Sequence, residues 1–126
     1  MPSSQRRSAL AAGGAIAPNP IQARFLIDTG ASITAIDPAI IIALGLQPTG
    51  LIPVHTPSTG GNPTTMALYD VALLVPVGPT LKAFDPLAVL ESSLRPQGID
   101  GLLGCDALAE CLLVYSGPNS ACILSV

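Results

Sequence analysis

Charge is scarce in this chain. Only 10% of its 126 residues are Asp, Glu, Lys or Arg, and just five are Lys or Arg. Five cations under a net charge of −3 cannot build a phosphate-tracking stripe, and aromatic residues at 3% supply no base-stacking platform. Nucleic acid is therefore excluded as a ligand class. Long apolar runs are missing too: although 49% of the residues are hydrophobic, no stretch approaches the ~20 residues of a bilayer-spanning helix. The composition predicts a greasy single domain with no membrane partner, whose uncharged surface favours self-association.

Paired cysteines are absent as well. Cys105, Cys111 and Cys122 lack the C-x-x-C spacing of a zinc site, and their odd number argues against a disulfide framework. They read as small buried hydrophobes in a reducing, cytoplasmic setting. A turn centred on Pro118-Asn119 would set Cys122 opposite Tyr115, not opposite Cys111. His55 is the only histidine, and no Ser-His-Asp or Cys-His arrangement can be built around it. No metal and no cofactor is predicted.

Residues 1–20 need a decision. Arg6-Arg7, a small-residue stretch and Ala15-Ile16-Ala17 mimic a secretory signal, but Leu10 and Ile16 are its only strong hydrophobes. Cleavage after Ala17 would also remove the segment most easily read as a first strand. Residues 1–20 are therefore expected to be an N-terminal strand or loose segment ahead of a domain over 21–126.

What is abundant is punctuation. Thirteen prolines and twelve glycines, scattered and not clustered, cut the chain into strand-length pieces, an all-β rhythm. Strands are predicted over 21–27, 33–36, 51–55, 66–75 and 82–90, with a terminal hairpin of 112–115 and 121–126. Asp37-Pro38 has the chemistry of a helix start and Gly45 that of a helix end, giving one short helix; a second is predicted from Cys105 to Glu110. Between the third and fourth strands, residues 56–63 carry turn residues and nothing able to anchor in a core, the mark of a projecting hairpin.

The chemistry concentrates at Phe25-Leu26-Ile27-Asp28-Thr29-Gly30-Ala31-Ser32. A carboxylate directly after three large apolar residues sits where its charge is least comfortable. Two readings of Asp28 stand side by side: a functional acid, or a β-turn residue bonding the backbone two positions on. Asp100 and Asp106, beside glycine or at a helix start, read as turn or capping residues. Tyr69-Asp70 reads as structural.

The order of parts resembles a known family. Leu26-Ile27-Asp28-Thr29-Gly30-Ala31-Ser32, then Ile99-Asp100-Gly101-Leu102-Leu103-Gly104-Cys105-Asp106, is similar to the retropepsin-like aspartic proteases, especially their bacterial single-lobe members. The likeness runs from residue 21 onward. It implies an all-β, small closed barrel with a flap hairpin and one or two short helices. It also implies that Asp28 is the catalytic aspartate, that Thr29 hydrogen-bonds across a dimer, and that Gly30 admits the substrate backbone. Ala31 and Ser32, with Ser58, Thr59, Gly60 and Gly61 of the flap, would contact the substrate.

Water is a poor nucleophile, and one carboxylate cannot be general base and general acid at once. The chain holds a single Asp-Thr-Gly, so the second carboxylate must come from another copy, which predicts a homodimer acting on a peptide or protein. Two such carboxylates share one proton, and activity is expected at acid to mildly acid pH. The chain departs from retroviral members in one respect: Ser32 and Cys105 replace an acidic residue and an arginine that brace the dimer. Both partners are missing together, so no buried charge is orphaned. The rival expectation is a catalytically silent dimerisation or peptide-binding module of the same fold.

Overall fold

The computed structural model describes residues 1–55 and 62–126. The expected flap residues Ser58, Thr59, Gly60 and Gly61 lie outside the described residues. Where the sequence predicts a strand or loose segment, the structure forms a helix, α1 (Ser4–Ala12). Ser3 caps it by accepting from the Arg6 amide, its body is rich in good helix formers, and Gly13 ends it. Met1 and Ala72 exchange backbone hydrogen bonds at 2.8 and 3.0 Å, Pro2 bridges to Val71, and Ser4 and Arg7 reach the Asp85 carboxylate. Tertiary anchoring thus stabilises a segment whose own hydrophobic pattern is weak.

Residues 21–27 yield only a three-residue strand, β1 (Phe25–Ile27). β2 (Ala35–Ile36) follows the Asp28 turn and leads into α2 (Pro38–Ala43), where Asp37 accepts from the Ala39 amide at 2.9 Å and Gly45, at φ +60°, ends the helical path. β3 (Gly50–Val54) and β4 (Thr64–Val77) form an antiparallel hairpin running from Gly50 opposite Leu68 to Val54 opposite Thr64. β4 then pairs with β5 (Thr80–Glu91) through a turn at Gly78. A bulge sets Asp85 and Pro86 against the single residue Ala72, which bends the ribbon and frees the Asp85 side chain for α1.

A 3-10 turn (Arg95–Gln97) precedes β6 (Gly101–Leu103), and α3 (Cys105–Leu108) follows it. β7 (Leu112–Ser116) and β8 (Ala121–Ser125) pair as a separate hairpin in which Cys122 does stand opposite Tyr115. The main sheet runs β1-β6-β2-β5-β4-β3 and curls into a half-barrel with few short helices, a mostly-β architecture. Among the described residues, β1 and β3 are its two ends. Its concave side and α2 enclose the core, including Ile36, Ile40, Ile41, Phe84, Leu87 and Val89. Burying side chains of this size contributes roughly 1.5–3 kcal/mol each, the main force holding the curl.

Candidate active site

β1 sits beside β6 in parallel, Ile27 opposite Leu103, and the Asp28 amide adds the next rung by donating to Leu103 O at 3.0 Å. The chain then reverses: Ala31 N donates to Asp28 O at 3.2 Å, and Gly30 N donates to Asp28 Oδ1 at 2.9 Å. Both readings of Asp28 therefore hold at once. One carboxylate oxygen fixes the turn, and Oδ2 accepts nothing from the described residues.

The turn is stitched to the segment behind it. Cys105 N donates to Ala31 O at 2.8 Å, and Cys105 Sγ to Thr29 O at 3.2 Å. Such closeness requires glycines. A Cβ on Gly104 would lie 2.8 Å from Ile33 C, 2.9 Å from Thr34 N and 3.0 Å from Ala31 O, and one on Gly101 would collide with the Phe25 ring. This is the physical content of the Leu102-Leu103-Gly104 motif: apolar anchors, then a residue small enough to touch the turn's backbone.

Asp28 and Ala31 are half-buried, whereas Thr29, Gly30 and Ser32 are exposed. Thr29 lines a cleft of about 580 Å³ with Phe25, Leu26, Ile27 and the hairpin residues Leu113, Tyr115 and Cys122. Leu26, on the end strand β1, is 52% exposed there. The turn is thus presented at a surface partly floored by apolar side chains.

Every other carboxylate near the turn has a structural task. Asp106 accepts from Thr34 N, Thr34 Oγ1 and Ala107 N. Asp100 accepts from Arg24 N and Arg95 Nε; the Arg24 amide is the main cause holding its carboxyl below the usual carboxylate range, opposed by desolvation and helped by the Arg95 guanidinium. Asp37 accepts from the Arg95, Ala39 and Leu94 amides, which lower its pKa in that order of weight. Asp100 and Asp106 thus serve structure, but not as the local turn and helix cap expected: Asp100 ties Arg24 to Arg95, and Asp106, inside α3 behind the cap residue Gly104, holds Thr34. Sequence reasoning missed Thr34, whose three polar atoms are all engaged and which is wholly buried. A lone Thr just ahead of a short strand carries no local signal.

A half-buried aspartate on a glycine-bearing turn, backed by an apolar-apolar-glycine segment in a curled sheet, is the arrangement that the resemblance to aspartic proteases implies. A family model described as aspartyl protease matches residues 12–107, which span both motifs, and the chain belongs to that family, in the retropepsin-like clan. No curated protein matches the chain, and no solved structure does.

Proposed function

We propose that the chain is an aspartic endopeptidase that works as a homodimer. The observation that carries this reading is the Asp28 turn: Oδ1 is tied to Gly30, Oδ2 is uncommitted among the described residues, and Thr29 and Gly30 at the turn's tip are exposed beside the half-buried Asp28. In the dimer the Asp28 turns meet across a two-fold axis, Thr29 of each copy bonding to the other. One Asp28 carboxylate takes a proton from water as the oxygen attacks the scissile carbonyl carbon. The protonated carboxyl of the second gives its proton to the carbonyl oxygen. Collapse of the tetrahedral diol returns a proton to the amide nitrogen and breaks the C–N bond.

The substrate is an extended peptide lying between the two copies, with the β3–β4 hairpin as flap and the partner completing the enclosure of the barrel. Ala31, Ser32 and flap residues Ser58, Thr59, Gly60 and Gly61 line it in this reading. Three unpaired thiols, Cys105, Cys111 and Cys122, support a reducing, cytoplasmic setting. The test is cleavage of an unfolded protein at mildly acid pH by wild type and Asp28→Asn. Loss of cleavage in the variant supports the peptidase; equal cleavage removes it, and no cleavage by either favours a silent peptide-binding module.

A further inference from the structure

The turn that carries Asp28 is held at two points by one short segment: Leu103 O takes the Asp28 amide, and Cys105 N gives to Ala31 O. What sets the spacing between those anchors is Gly104, and Gly104 is itself gripped. Its amide donates to Thr34 Oγ1 at 3.1 Å, inside the protein. Thr34 in turn gives its hydroxyl proton to Asp106 Oδ1 at 2.7 Å and shares its amide between Oδ1 and Oδ2 at 3.1 and 3.0 Å, while Leu90 N donates to Thr34 O at 2.9 Å. A buried hydroxyl used as donor and acceptor at once leaves no freedom of rotation. The carboxylate acceptor makes the grip charge-assisted, hence stronger than a neutral contact.

We propose that Thr34 and Asp106 are positioning residues for the Asp28 carboxylate, a role resting on the peptidase reading above. Neither touches the reacting atoms. They form a clamp that fixes the Leu103–Cys105 segment against the strand leaving the turn, so that both ends of the turn, and with them the direction of the carboxylate, have one arrangement. Asp106 lies at the start of α3, whose cap residue Gly104 has no side chain to offer. Its carboxylate does bond the Ala107 amide, but its other contacts all go to Thr34. A residue placed only to cap a one-turn helix would have no use for them.

Thr34→Val keeps the shape and removes the hydroxyl, leaving the Gly104 amide without its acceptor. Thr34→Ser keeps the hydroxyl. Asp106→Asn puts an amide where the carboxylate met three donors. On a reduced, alkylated protein substrate, Thr34→Val and Asp106→Asn should lower kcat by roughly ten- to a hundredfold, the scale on which misplacement of a reacting group by about 1 Å acts. KM should change little, and Thr34→Ser should stay near wild type. Amide hydrogen exchange at Ala31 and Cys105 should quicken in the first two variants while Val89 in the core keeps its protection.

Unchanged kcat in Thr34→Val, a Thr34→Ser variant as slow as Thr34→Val, or a loss of Val89 protection equal to that of Cys105 would each overturn the clamp. If wild type shows no Asp28-dependent cleavage, the peptidase reading fails by itself. The exchange measurement then decides: faster exchange at Ala31 and Cys105 in Thr34→Val than in Thr34→Ser upholds the clamp, and equal exchange overturns it.

Discussion

The thiol of Cys105 donates to the carbonyl of Thr29 at 3.2 Å, across 76 positions of sequence. The residue that follows the apolar-apolar-glycine segment thus grips the turn through a weak sulfur donor. Sulfur makes a soft contact, and Cys105 is exposed. Cys105→Ala should therefore cost less than about 1 kcal/mol in urea denaturation, below an ordinary buried hydrogen bond.

Gly104 and Gly101 should respond differently to alanine. The nearest obstruction at Gly104 is backbone, the Ile33–Thr34 peptide and the Ala31 carbonyl, so Gly104→Ala should destabilise by about 1–3 kcal/mol, with no side-chain change nearby able to restore it. At Gly101 the nearest obstruction is the Phe25 ring, so Gly101→Ala combined with Phe25→Leu should recover part of the loss. Thermal denaturation of the two singles and the double variant separates these outcomes.

Asp37 sets an acid limit on the fold. Its folded-state pKa lies below the reference 3.8 because the Arg95, Ala39 and Leu94 amides bond the charged form. Its stabilising contribution is accordingly present above about pH 4 and is lost as pH falls through the lower folded value. Wild type should keep its stability through mildly acid pH and lose it below that range. Asp37→Asn should be less stable than wild type at neutral pH, with the gap narrowing as pH drops below 3.8; denaturant midpoints across pH read this directly.

Thr29 is exposed in the single chain, and its proposed partner is its counterpart in a second copy. Two symmetry-related hydrogen bonds of about 1 kcal/mol each would weaken the dimer roughly thirtyfold when lost. Thr29→Val should raise the dimer dissociation constant by about that factor in sedimentation equilibrium and leave the melting temperature of the isolated domain within a few degrees. A dissociation constant equal to that of wild type would place the interface elsewhere.

The Phe84 ring, 4% exposed, packs in the core on the face opposite solvent. Phe84→Ala should cost about 3–5 kcal/mol, a large share of the ~5–15 kcal/mol that holds an ordinary domain, and so lower the melting temperature followed by circular dichroism.

Much of this was legible along the chain because it is local chemistry. Asp37-Pro38 and Gly45 bound α2, Pro118-Asn119 sets the register that places Cys122 opposite Tyr115, and Asp28-Thr29-Gly30 makes its own turn. α1 was not legible, since its Ser3 cap is weak by itself and the helix is held by Ala72 and Asp85 from far along the chain. The strand over 21–27 came out shorter because its parallel partner β6 offers only three residues.

Asp28 marks the same division. Its identity, its glycine neighbour and the family it implies follow from residues in sequence, because turn chemistry acts over two or three positions. Which oxygen is tied, which is uncommitted, and what holds the turn rigid were decided only by folding. Thr34 and Asp106 meet across 72 residues, and Gly104 reaches Thr34 across 70. Contacts of that span exist only once the sheet has curled, because only the packed core brings their backbones within hydrogen-bonding reach.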